Sequence, residues 1–232
     1  MNGKNYIYKC GGVFIKSMVS NGDERGIAQH RYPLSFELVG KKLDLESDGK
    51  AHSLSFKDRK TAVLDGAERG YECLKCAAGL YFVRIGTDAA LVDFSSGAVT
   101  LALEEGFVTC VIKGAENAKA HQPAGDAMAG TNVRWMLGVG KYTEQRFLSA
   151  DKAVVSWEPK DDVRTEVGYE AVHAGEGYYL VRIEAGAVKG VCAPFFSDHM
   201  IMLQDYERCM TYGCLYGKGY DPILFTGYAS FI

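Results

Sequence analysis

A chain of 232 residues is long enough for one large β domain or two smaller ones, each with a real core. With 47% hydrophobic and 24% charged residues its composition is that of a globular protein, which excludes a disordered chain. A net charge of −3, with no run of five or more lysines or arginines, leaves nucleic acid without an electrostatic footprint.

At the start of the chain, Lys4, Lys9 and Lys16 interrupt isolated apolar residues, so residues 1–16 lack the continuous apolar core of a secretory signal. Short apolar runs recur from 34–39 to 107–112 and again from 133–137 to 214–216. Tyr (14) and Phe (11) are abundant, Pro is scarce (5), and glycines fall mostly between the runs, which together favour strands. The longest nearly uncharged stretch, 89–103, carries Asp93 and falls short of the roughly 18 apolar residues of a membrane helix. Ser95-Ser96-Gly97 reads as a hairpin turn, and 205–212 has room for one or two helical turns. The segment 114–131, small and polar with one proline, reads as a linker between residues 1–113 and 132–232. Seven cysteines are an odd number for a disulfide framework and point to free thiols in a reducing, cytoplasmic setting.

An internal repeat organises the chain. Residues 71–85 (YECLKCAAGLYFVRI) and 169–183 (YEAVHAGEGYYLVRI) share seven of fifteen positions, where about one is expected by chance. A weaker match upstream aligns Asp58-Arg59 with Asp151-Lys152 and gives the later copy five extra residues. An all-β fold of two antiparallel domains related by duplication follows. Each repeat predicts a hairpin with a three-residue loop ending in glycine, Ala77-Ala78-Gly79 and Gly175-Glu176-Gly177. That register sets Cys76 opposite Leu80, Glu72 opposite Arg84 and Glu170 opposite Arg182, as cross-strand ion pairs.

These pairs are the first functional candidates. Facing inward, Arg84 or Arg182 would pair a carboxylate, while Glu72 or Glu170 would orient it or move a proton. Facing outward, they are structural salt bridges. Tyr71, Tyr81, Tyr169, Tyr178 and Tyr179 could line the same pocket with phenol hydroxyls, although tyrosine is also an ordinary strand residue. The second half is the likelier site, because His173 and Tyr178 stand where the first has Lys75 and Leu80. His199, in Ser197-Asp198-His199, is a candidate lone acid or base beside Glu170 and Arg182, since neighbours along a strand cannot relay to one another. Cys73-Leu74-Lys75-Cys76 has redox-site spacing but sits in a strand, where alternation sends the thiols to opposite faces. No second cysteine pair completes a metal site, no G-x-S-x-G elbow is present, and the glycine-rich stretches lack a phosphate loop's context. Neither cofactor nor metal is implied.

The chain resembles the MoaF-like family, named for an association with molybdenum-cofactor biosynthesis. The likeness rests on Glu37-Leu38-Val39-Gly40-Lys41, Asp48-Gly49, Tyr71-Glu72, Gly79, Tyr81-Phe82-Val83, Leu91-Val92-Asp93-Phe94 and Ser96-Gly97, and later on Met202-Leu203 ahead of 206–217. It covers roughly residues 33–217 and implies tandem lipocalin-like barrels of the calycin type. The family name records genetic context and implies no reaction. Taken with the Glu/Arg pairs, the expected function is binding of a small organic ligand, aromatic or carboxylate, as a carrier or accessory protein. Charge and apolar-stretch length argue against nucleic acid and membrane, and a homodimer stays open. A looser likeness to phenolic acid decarboxylases, at the level of residue types, keeps a cofactor-independent lyase or isomerase as the alternative.

Overall fold

The computed structural model describes residues 7–10, 13–16, 27–157, 164–184, 197–217 and 221–230, and nearly all of its regular structure is antiparallel strand. A hairpin of β1 (Ile7–Cys10) and β2 (Val13–Lys16) precedes two closed barrels. The first winds through β3 (Lys42–Ser47), β4 (Lys50–Phe56), β5 (Thr61–Leu64), β6 (Ala67–Ala77), β7 (Leu80–Ile85), β8 (Asp88–Asp93), β9 (Ala98–Leu103) and β10 (Gly106–Ile112). Each strand pairs with the next, and β10 returns to β3. After a two-residue strand, β11 (Gln122–Pro123), the second barrel repeats the plan. Its strands are β12 (Asn132–Gly138), β13 (Lys141–Phe147), β14 (Lys152–Trp157), β15 (Thr165–Gly175), β16 (Tyr178–Glu184), β17 (Ser197–Asp205), β18 (Met210–Gly217) and β19 (Ile223–Ser230), closed by β12 against β19. The fold is therefore all-β, two eight-stranded up-and-down barrels in tandem, as the repeat predicts.

The barrels match beyond the sequence repeat. Gly40 and Gly130 each donate from N–H to the carbonyl of an inward phenylalanine, Phe56 and Phe147. Leu38 and Met128, two residues earlier, are buried in the respective cores. Phe56 packs edge-on against Tyr71 at 5.1 Å, and Phe147 against Tyr169 at 4.8 Å. Each tyrosine hydroxyl then donates to a turn carbonyl, Asp58 O at 2.8 Å and Ser149 O at 2.6 Å. Since Thr61 pairs with Gly70 and Lys152 with Gly168, the second copy has seven extra residues here, two more than the sequence alignment assigns.

The register of the repeated hairpin is as expected: Glu72 pairs with Arg84 and Glu170 with Arg182. Its loop is not. Ala77 pairs with Leu80 across a two-residue turn, and Cys76 is a bulge; Ala174 is its counterpart. The bulge absorbs the residue that a shorter loop would otherwise slip, so the side-chain faces are preserved. Gly79 and Gly177, at φ 76° and 71°, supply the left-handed turn position.

Strands β7 and β8 read as near-continuous apolar runs because they are covered on both faces. Tyr81, Val83, Ile85, Ala90 and Val92 fill the first barrel, while Leu80, Phe82, Ala89 and Leu91 face the second. There they meet Leu180, Ile201 and Leu203 on the equivalent strands of the second barrel, and Cys214 on β18. The two halves thus bury the same outer face against each other, in the manner of an isologous dimer within one chain. Cys73 lies in the first core and Cys76 in this interface, on opposite faces as alternation requires. Burial pushes the Cys73 thiol up to about 12, so it stays protonated. Cys192 and the side chain of Cys10 lie outside the described residues.

The presumed linker is partly built into the barrels. His121 is buried, with Nδ1 2.8 Å from Thr100 Oγ1 and Nε2 3.7 Å from Asp93 Oδ2 of the first barrel. Gln122 and Pro123 pair with β15, and the 3-10 turn Gly125–Met128 places Met128 in the second core. Another 3-10 turn, Ile27–His30, also belongs to the second barrel by packing, through Ile27.

Candidate functional site

The inward placement considered for the Glu/Arg pairs does not occur. Tyr71 and Cys73 point into the first barrel and Tyr169 into the second, so alternation turns Glu72 and Glu170 outward with their partners. Arg84 Nε lies 3.2 Å from Glu72 Oε2, and Arg31 approaches the same carboxylate at 3.7 Å. The second pair diverges. Arg182 is 3.8 Å from Glu170, but its Nη1 and Nη2 donate to Leu103 O at 2.6 Å and Glu104 O at 2.9 Å, across the barrel interface. A groove of about 330 Å³ opens beside it, lined by Glu104, Glu105, Asp151, Glu170 and Glu184 against Lys152 and Arg182. Burial raises the Glu170 carboxyl, with Arg182 opposing the shift. Carboxylates outnumber cations here, and the guanidinium already holds two carbonyls, so the groove is poorly suited to a carboxylate ligand.

Other candidates scatter for the same reason. Tyr178 faces the interface, with Arg208 over its ring at 6.0 Å. His199 lies on the outer face of β17 and stacks on Tyr216 at 4.6 Å; the side chains of Ser197 and Asp198 lie outside the described residues. Tyr71 and Tyr169 tie turns to cores. Tyr81 donates to Glu37 Oε2 at 2.6 Å, and Lys75 Nζ donates to Oε1 of the same carboxylate at 2.7 Å.

Tyr179 and His173 come together in a different setting. Their rings lie 5.1 Å apart, Tyr179 contacts Tyr206 at 5.9 Å, and Tyr206 contacts Trp135 at 5.8 Å. This aromatic series runs from exposed His173 to fully buried Trp135 inside the second barrel. A polar chain accompanies it. Tyr206 OH donates to Gln204 Oε1 at 2.5 Å, Gln204 Nε2 donates to Gln145 Oε1 at 2.8 Å, and Gln145 Nε2 ends on the Met202 thioether at 3.2 Å. Burial raises the Tyr206 phenol well above its ordinary value, which keeps it a donor. Two further groups face this core with no partner: Trp135 Nε1 and Thr143 Oγ1, both fully buried and paired in register on β12 and β13.

The first barrel is an internal control for whether the fold needs these groups. Strand registers place Leu54 at the position of Gln145, Val92 at that of Gln204, and Phe94 at that of Tyr206. Leu54 and Val92 are fully buried, as Gln145 and Gln204 are, so the two lumens differ here in polarity. A polar chain in the second is therefore not demanded by barrel closure, and unpaired buried polar atoms oppose folding. Chemically, the site is a neutral wall, rich in donors, with aromatic rings along one side.

Sequence reading missed Trp135, Thr143, Gln145, Gln204 and Tyr206. The signal was present as polar residues on the apolar phase of a strand, Thr143 and Gln145 in step with Phe147, and Gln204 in step with Met200 and Met202. It becomes legible only once the duplication is aligned strand by strand, because the seven identities lie elsewhere. Compared with protein families and with curated proteins, the chain finds no match in either.

Proposed function

We propose that the protein binds a small organic molecule in the lumen of its second barrel, while the first barrel is a packed structural partner. The observation that carries this reading is the pair of buried, partnerless polar groups, Trp135 Nε1 and Thr143 Oγ1, beside the Gln145–Gln204–Tyr206 chain. Buried polar groups are normally satisfied, and a bound molecule supplies the missing partner. Barrels of about eight strands are wide enough to fill with side chains or to hold one small ligand. The resemblance to MoaF-like proteins adds an accessory role linked to molybdenum-cofactor biosynthesis to this proposal. Binding is favoured over a lyase or isomerase because Thr143, Gln145, Gln204 and Thr211, the buried polar residues facing the second core among those described, carry no charge. The test is untargeted mass spectrometry of small molecules retained by the purified protein. Wild type is expected to carry a species that the triple variant Gln145→Leu/Gln204→Val/Tyr206→Phe has lost; retention by neither, or equally by both, refutes the assignment.

A further inference from the structure

Hydrogen-bond counting narrows the chemistry of the guest. Along the chain from Tyr206 through Gln204 to Gln145 every link donates in one direction, so each amide oxygen accepts one bond and the run ends on sulfur, a weak acceptor. Trp135 Nε1 can only donate, and it has nothing to donate to. Thr143 Oγ1, its register partner on β13, is a hydroxyl with both its donor and its acceptor capacity unused. The unmet need at Trp135 is therefore for an acceptor. Among the described residues the lumen also lacks a counter-charge. Arg182 and Arg84 lie on outer faces, and Asp205, the nearest carboxylate along β17, points away from the lumen and accepts from Arg208 N at 2.8 Å. An anion placed among Trp135, Gln145 and Tyr206 would shed its water without meeting a cation.

Resting on the binding reading above, we infer that the ligand is uncharged and offers a carbonyl oxygen or ring nitrogen to Trp135 Nε1 and Thr143 Oγ1, with a flat apolar body against Tyr179 and Tyr206. Amides, lactams and neutral heteroaromatics meet this description, whereas the free carboxylic acids expected from the Glu/Arg pairs do not.

Matched pairs that differ in charge but hardly in shape separate the possibilities: benzamide and benzoate, nicotinamide and nicotinate, cinnamamide and cinnamate. Each is titrated at pH 7 into ¹⁵N-labelled protein, and the indole N–H signals are followed. The chain has two tryptophans, so loss of one signal in Trp135→Phe, or survival of one in Trp157→Phe, assigns Trp135. The expected result is a saturable downfield shift of the Trp135 proton, with the amide of at least one pair binding ten or more times tighter than its acid. Equal or tighter binding of the acids at the same signal overturns the neutral-ligand inference and leaves the binding site standing. If no member of any pair moves the Trp135 signal, both the inference and the site fail, and the indole is satisfied by buried water alone.

Discussion

Rebuilding the second lumen in the image of the first is the most discriminating perturbation. Gln204→Val alone removes two hydrogen bonds, at 2.8 and 2.5 Å, and strands Gln145 Oε1 and the Tyr206 hydroxyl in the core. Each orphaned group costs about 1–3 kcal/mol, partly offset by the apolar valine, so a net loss of about 2–4 kcal/mol is expected. Gln145→Leu orphans Gln204 Nε2 and Tyr206→Phe orphans Gln204 Oε1, at about 1–2 kcal/mol each by the same reasoning. The triple variant removes every member of the chain at once and installs Leu, Val and Phe, the residues of the equivalent first-barrel positions. It should come within about 1 kcal/mol of wild type, leaving a coupling of about 3 kcal/mol or more against the summed single changes. Urea unfolding followed by tryptophan emission reads this directly, since Trp135 and Trp157 both lie on strands of the second barrel. Additive losses, with the triple variant as unstable as the sum of its parts, would mean that the polar chain is needed to fold the barrel, and the use of the first barrel as a control would fail.

Three further outcomes follow from the same geometry. Arg182→Met should lower stability by about 2–3 kcal/mol through loss of its bonds to Leu103 O and Glu104 O, while lumen binding measured by mass spectrometry stays unchanged. Gly213→Ala should cost about 1–3 kcal/mol in denaturant midpoint, because an added Cβ would sit 2.6 Å from Phe225 Cζ and 2.7 Å from Ile201 O. Burial by itself would raise the Asp93 carboxyl, but His121 and the bonds from Ser95 and Ser96 outweigh it and hold Asp93 well below the ordinary carboxylate range. A depressed acid stabilises the fold above its unfolded pKa of about 3.9 and loses that contribution as pH falls below it. Wild type should therefore lose stability more steeply than Asp93→Asn below about pH 4 in acid unfolding curves, and parallel curves would refute this.

What local chemistry dictates was legible in the chain alone. Alternation and turn residues marked the strands, and seven identities between 71–85 and 169–183 exposed the duplication. The Glu72–Arg84 and Glu170–Arg182 registers followed from glycine in the turn, even though a bulge at Cys76 and Ala174, not a longer loop, maintains them. The opposite faces of Cys73 and Cys76 followed from the same alternation. Which face is inside did not. A strand such as Leu80–Ile85, apolar on both sides, carries no mark to tell barrel lumen from barrel interface, and the partner for the second face lies more than a hundred residues away. The Glu/Arg pairs drew attention because they repeat, yet repetition reports ancestry and outer-face packing as readily as a site. The Trp135, Thr143, Gln145, Gln204 and Tyr206 constellation was hidden because its members come from three separate segments and meet only when the barrel closes. Closure brings β12, β13 and β17 around one lumen, so the site is a property of the tertiary fold, assembled from residues that look ordinary one strand at a time.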